Sequence, residues 1–246
     1  MIMNLRKLIA LAIAFTVGMG LVVAKSNRTT KRYDGLETFD HIEIATGGDV
    51  TYTIGTGSSV SLTASDSDLS SMEVSVENGT LYVGVKRNSG NTKALSKKNG
   101  KPVANITGPA LKGITAHIGS DVTVVSPLTV PGGVINLYIT TAAEVEFEGA
   151  LKCKKLNASV NTAGKLEVES LTAESVTGSV DCGGKIEVTG TAENVNFEIN
   201  MGGTIDAAAL KAKSGNASVT MGGTINCNVA NLKSDTTMGG SVKNIY

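Results

Sequence analysis

The sequence predicts an all-β chain wound as a single-stranded parallel β-helix, a solenoid with coils of about 20 residues. Three observations predict it. Five C-terminal stretches, 156–168, 176–188, 195–207, 215–227 and 232–244, lie almost in register. Anchored on Gly164, Gly184, Gly203, Gly223 and Gly240, they are separated by 20, 19, 20 and 17 residues. Apolar residues then alternate on either side of each anchor. Leu166/Val168, Ile186/Val188, Ile205/Ala207 and Ile225/Cys227 stand two and four positions after it, and Val160, Val180, Ile199 and Val219 stand four before it. Side chains two apart on a strand share a face, so a period of two with many β-branched residues reads as strand rather than helix. The third observation is a small-residue turn at every anchor, which lets the chain bend at the same place in each coil.

Two earlier stretches join the repeat with looser spacing, anchored on Ala143 and Ser120. Positions two before the anchors are Thr141, Thr162, Cys182, Met201, Met221 and Met238. By parity they are expected inside. Odd positions carry Lys165, Glu167, Lys185, Glu187, Asp206 and Asn226, which suit water. Seven before the anchors stand Asn136, Asn157, Asn196 and Asn216, with Thr177 and Lys233 as exceptions. Either a hydrogen-bonded amide ladder or the turn preference of Asn accounts for them.

Residues 1–24 have the form of a signal peptide: Arg6 and Lys7, an apolar run over 8–23, and Ala24 before the expected cleavage point. Removing Arg6 and Lys7 leaves 20 basic against 22 acidic residues, a net charge of −2. That balance gives no electrostatic footprint for nucleic acid, and no membrane span is expected after cleavage. Residues 25–38 read as a flexible leader and 39–246 as the β-helix domain. Within it, Ile42, Ile44, Val50 and Tyr52 alternate around Gly47 and Gly48. Strand patterns follow at Val60/Leu62, Met72/Val74/Val76 and Leu81/Val83/Val85, the last two joined by a tight turn at Asn78-Gly79. Residues 87–101 break the pattern and read as a protruding loop. Arg87, Lys93, Lys97, Lys98 and Lys101, with no acid between them, make it a candidate basic contact loop, although solvated charge alone also explains such a run.

Residues 39–52, the VENGTLYVGV pair over 76–85, the segment 109–124 and the later Gly-Gly coils together resemble the head GIN domain family, described as putative auto-transporter adhesins of bacteria. The resemblance covers most of 39–246 and implies a right-handed parallel β-helix and an adhesin-like role. It brings no catalytic residues and no cofactor. No translocating barrel follows residue 246 in this sequence, so self-export is not expected.

Catalytic and metal-binding patterns are sparse. His41 and His117 lack Cys or His neighbours at metal-ligand spacing. Serine-nucleophile and phosphate-loop motifs are absent. Asp66-Ser-Asp68 lacks the rest of a calcium loop and reads as an acidic turn. Glu146, Glu167 and Glu187 form an outward column interleaved with Lys165 and Lys185, which reads as a salt-balanced face. There is no Trp, and Tyr138 is the one aromatic at an outward coil position, so a sugar-stacking platform has little support. Cys182 and Cys227 are expected inside and Cys153 accessible. With two coils (about 9–10 Å) between them, no pair meets the roughly 7 Å limit on disulfide Cα separation.

Three functional classes fit: an exported, non-catalytic binding or adhesin-like module of the periplasm or cell surface, contacting a surface glycan or protein; a β-helical polysaccharide lyase or hydrolase; and a structural envelope protein. Long insertions on one face would favour the enzyme, and the coils here are nearly uniform.

Overall fold

Alternating Val, Ile and Thr side chains favour extended backbone, and a coil with one apolar face buries it only against another coil. The computed structural model, which describes residues 28–87 and 100–246, has this arrangement. The expected signal peptide and residues 25–27 lie outside the described residues. In chain order the strands are β1 (Arg28–Asp34), β2 (His41–Ala45), β3 (Asp49–Ile54) and β4 (Ser59–Ser65). A six-residue helix α1 (Asp66–Ser71) follows, then β5 (Met72–Glu77), β6 (Thr80–Val85), β7 (Val103–Gly108), β8 (Gly113–Ala116) and β9 (Asp121–Val124). The regular coils hold β10 (Leu128–Ile139), β11 (Glu144–Phe147), β12 (Leu151–Asn161), β13 (Lys165–Asp181), β14 (Lys185–Met201), β15 (Thr204–Met221), β16 (Thr224–Thr236) and β17 (Ser241–Asn244). They form a parallel β-solenoid of about seven turns with coils of about 20 residues.

The stacking register is the one the anchors predict. Leu166 faces Ile186, Ile186 faces Ile205, and Ile205 faces Ile225. A second column runs Ile139, Val160, Val180, Ile199, Val219. All of these side chains are buried. Large and small residues alternate along one column: Phe197 lies between Gly178 and Ala217. A Cβ on Gly178 would stand 3.1 Å from the Phe197 ring, so the glycine makes room for it.

Cys153, expected to be accessible, is instead buried within β12. Three further expectations are corrected. The first is the flexible leader over 25–38. Arg28–Asp34 within it is strand β1, paired antiparallel with β4. Its side chains are mostly exposed, so no apolar alternation announces it; the open edge of β4 supplies its hydrogen bonds. The second is the column two before the anchors. Thr141, Thr162, Cys182, Met201, Met221 and Met238 are all exposed. Thr162 and Ala163 both take positive φ (49° and 60°), as do Gly202 and Gly203 after Met201 (69° and 118°). The corner therefore starts at or just after this position, and strand alternation no longer decides where the side chain points. Third, Asp66-Ser-Asp68 is not a simple turn but the first turn of α1. Ser65 caps it, accepting from the Asp68 amide at 3.2 Å and donating to its carboxylate at 2.7 Å.

Stack order departs from chain order at the N-terminal end. β2 lies between β6 and β8, and β3 between β7 and β9. The chain thus begins in an inner coil, runs out to the end, and returns past its own start. Antiparallel β5 on β6 and β4 on β7 cover that end. The expected tight turn joins β5 to β6, with Asn78 and Gly79 both at positive φ.

Candidate functional site

The turn glycines do two different jobs. At Gly203 and Gly223 φ is 118° and 99°, a region that L side chains avoid. At Gly48, Gly164, Gly184 and Gly240 the constraint is space. An added Cβ would stand 2.1 Å from the Pro102 carbonyl oxygen, 3.0 Å from that of Ile139, 2.7 Å from that of Val160 and 2.5 Å from Val219 respectively. These are structural positions that hold neighbouring coils close.

Of the candidate basic loop, Lys93, Lys97 and Lys98 lie outside the described residues, and Arg87 and Lys101 lie inside them. The Arg87 guanidinium donates to Glu43 at 2.8 Å, reaches Glu77 at 3.7 Å and stacks 3.9 Å from the Tyr82 ring centre. The Lys101 ammonium bonds Asp121 at 2.7 Å and lies 3.6 Å from Asp49; the Asp121 hydrogen bond leads in raising its pKa. Arg28 donates to the Lys101 carbonyl at 2.6 Å and the Thr63 carbonyl at 3.1 Å, tying β1 to the start of β7. Arg87 and Lys101 are therefore paired with acids of the solenoid, a feature the charge run alone hid.

The acidic column stands as the register predicts, with Glu146, Glu167 and Glu187 on successive rungs. Lys165 bonds Glu144 at 2.6 Å and Glu167 at 2.9 Å, and Lys185 bonds Glu187 at 2.8 Å. Partial burial would lower the Lys165 pKa, but the bonds to Glu144 and Glu167 outweigh it and leave it raised. Glu169, at the corner after β13's first run, adds a carboxylate that repeat spacing did not reveal. Carboxylate oxygens of Glu146, Glu167 and Glu169 lie within 4.8 Å of one another. Burial first, then the Glu167, Glu148, Glu169 and Glu144 carboxylates, pushes the Glu146 pKa above its ordinary value. Such an oxygen-only set suits a hard divalent cation. The adjoining groove is lined by Glu167, Glu169, Glu187, Asp206 and small apolar residues, with no aromatic ring to seat a sugar.

A different face combines amide, hydroxyl and aromatic groups. β2 supplies His41, β10 Asn136 and Tyr138, β12 Asn157 and Ser159, and β13 Thr177 around a depression of about 390 Å³. Tyr138 is 46% exposed. The Asn157 amide donates to Asn136 at 2.8 Å, so the ladder forms on this pair, and Thr177 interrupts it on the next rung. Asp40 accepts from Lys112 at 2.7 Å and also pairs with the His41 imidazole. The Lys112 bond is the main cause of its lowered pKa. This holds the imidazole at one end of the depression.

Comparison with curated proteins finds no match. Among solved structures, "a putative adhesin" from Bacteroides fragilis is 25% identical, with a TM-score of 0.75 over 89% of this chain and 97% of that one. "A putative adhesin" from Parabacteroides merdae is 17% identical, with a TM-score of 0.75 over 90% and 98%. A "putative lipid binding protein" from Parabacteroides distasonis is 18% identical, with a TM-score of 0.76 over 90% and 98%. The family model described as "Putative auto-transporter adhesin, head GIN domain" matches residues 38–245. Family model and coil register cover the same solenoid, and the chain belongs to the head GIN domain family.

Proposed function

We propose that the protein is an exported, non-catalytic binding module of the cell envelope that takes a surface polysaccharide on the face around Tyr138. The observation that carries this reading is the exposed Tyr138 ring set among Asn136, Asn157, Ser159 and Thr177. A sugar has an apolar face that stacks on an aromatic ring and hydroxyls that bond to amides and hydroxyls. Rungs about 4.8 Å apart offer such groups repeatedly along the stack, as a polymer ligand requires. The signal-peptide pattern of residues 1–24 supports export. Family membership supports an adhesin-like role at the surface or envelope.

The test is a binding screen of the full chain against bacterial and host polysaccharides, immobilised matrix proteins and phospholipid vesicles, with product analysis on each hit. The reading expects a polysaccharide hit that Tyr138→Ala removes and that leaves polymer length unchanged. Binding confined to proteins or vesicles, or shortening of the polymer, would overturn it.

A further inference from the structure

One corner of the solenoid carries a column of sulfur-bearing side chains. Cys182, Met201, Met221 and Met238 each stand two residues before a turn glycine, Gly184, Gly203, Gly223 and Gly240. They occupy the same corner of four successive coils. Met201 and Met221 are paired in register. The corner backbones are hydrogen-bonded from coil to coil. The Gly183 amide donates to Gly202 at 3.4 Å, Gly202 to Met221 at 2.9 Å, and Gly222 to Met238 at 3.2 Å. All four sulfur-bearing residues face water: Met201 is 48% exposed, Met221 43% and Met238 75%, and Cys182 is an exposed free thiol.

Packing does not explain sulfur here. A flexible thioether is useful inside a core, where it fills irregular gaps. These side chains fill no gap, and Thr141 and Thr162 hold the same corner in two earlier coils. What the column supplies is soft donor side chains on adjoining rungs, with Met201 and Met221 in register and Cys182 and Met238 flanking them at positive φ. Two sulfurs bound to one metal at about 2.3 Å each stand about 4.0 Å apart in a trigonal site and about 4.6 Å in a linear one. The rungs that carry them are about 4.8 Å apart. Thiolate and thioether donors select Cu(I) over oxygen-seeking ions such as Mg²⁺ and Ca²⁺.

We propose that this corner column is a binding site for a soft monovalent metal ion, Cu(I), held between Met201 and Met221 with a third sulfur from Cys182 or Met238. The methionine thioethers bind without proton exchange; Cys182, when it ligates, releases its thiol proton to solvent. The site is separate from the Tyr138 face and from the acidic groove, and its test is independent of the proposed glycan binding.

The experiment is an anaerobic competition titration of the full chain with Cu(I) against a chromophoric Cu(I) chelator. Met201→Thr/Met221→Thr and Cys182→Ser variants run beside it. Thr is the residue that earlier coils place at this corner, so the double variant should melt with the parent. One equivalent of Cu(I) should bind the parent. The double methionine variant should bind at least about tenfold more weakly, and Cys182→Ser should retain the site. Ca²⁺ and Mg²⁺ in excess should not compete. No Cu(I) retained by the parent, or equal affinity in the parent and the double methionine variant, would overturn the proposal. So would loss of all binding in Cys182→Ser alone, which would reduce the site to a single reactive thiol.

Discussion

Replacing Ile186 tests the stacking register at its centre. Ile186 is 2% exposed and lies between Leu166 and Ile205 on adjoining rungs. Truncation to Ala removes three carbons from a column with little freedom to collapse, a class of change that costs about 2–5 kcal/mol. A solenoid of this length loses about 2–4 °C of Tm per kcal/mol. Ile186→Ala should therefore lower Tm by about 4–20 °C. Ile186→Asp adds a carboxylate with no partner in the apolar stack and should abolish cooperative unfolding. Its neighbour Glu187 points out and pairs with Lys185 at 2.8 Å, its side chain 32% exposed. Exposed ion pairs contribute about 0–1 kcal/mol, so Glu187→Ala should move Tm by no more than about 4 °C. Circular dichroism melts of the three variants at one pH give the comparison. Equal Tm for Ile186→Ala and Glu187→Ala would refute the inside–outside assignment and the register with it.

Thiol titration without reductant should find one reactive group in the native protein, Cys182, and three after denaturation, since Cys153 and Cys227 are 6% and 0% exposed; labelling of Cys153 in the folded state would contradict the packing of β12. Gly48→Ala should destabilise more than Gly222→Ala, because a Cβ at Gly48 meets the Pro102 carbonyl at 2.1 Å while Gly222 has open space and bears only the cost of its positive φ, about 1–2 kcal/mol; the reverse order in urea melts would count against close coil contact as the reason for glycine. Glu146 has a raised folded pKa, so its contribution to stability is fully present below the unfolded value near 4.5 and is lost as pH rises through the folded value. Glu146→Gln should then raise Tm at pH 7 and lose that advantage below about pH 4; a lower Tm at pH 7 would show the carboxylate to be favourably held.

The coils were legible because their stability rests on a repeating local rule. The Leu166–Ile186–Ile205–Ile225 column follows from strand alternation and a fixed turn, both visible in a single repeat. Where alternation stops, reading by parity fails. At the corners, backbone conformation sets direction, which is why Cys182 and Met201 face water and why Glu169 joins Glu146 and Glu167. Strand β1 was illegible for another reason. Its sequence, RTTKRYD, has no buried face, and only the edge of β4 makes it a strand. The same holds for the insertion of β2 and β3 between later strands, which depends on pairing across the stack. Tyr138 looked isolated along the chain; its neighbours Asn157, Ser159 and Thr177 come from the next coils and meet it only when those coils stack. Arg87 and Lys101 read as free charges because their partners, Glu43, Asp49 and Asp121, come from other coils.

The claim of non-catalytic ligand binding at the Tyr138 face is tested most directly by equilibrium titration of the polysaccharide identified in the screen. Three proteins are compared: the parent chain, Tyr138→Ala and Glu167→Gln. The account predicts at least about tenfold weaker binding for Tyr138→Ala, with parental affinity for Glu167→Gln. Parental affinity in Tyr138→Ala with loss of binding in Glu167→Gln would contradict it and move the site to the acidic groove.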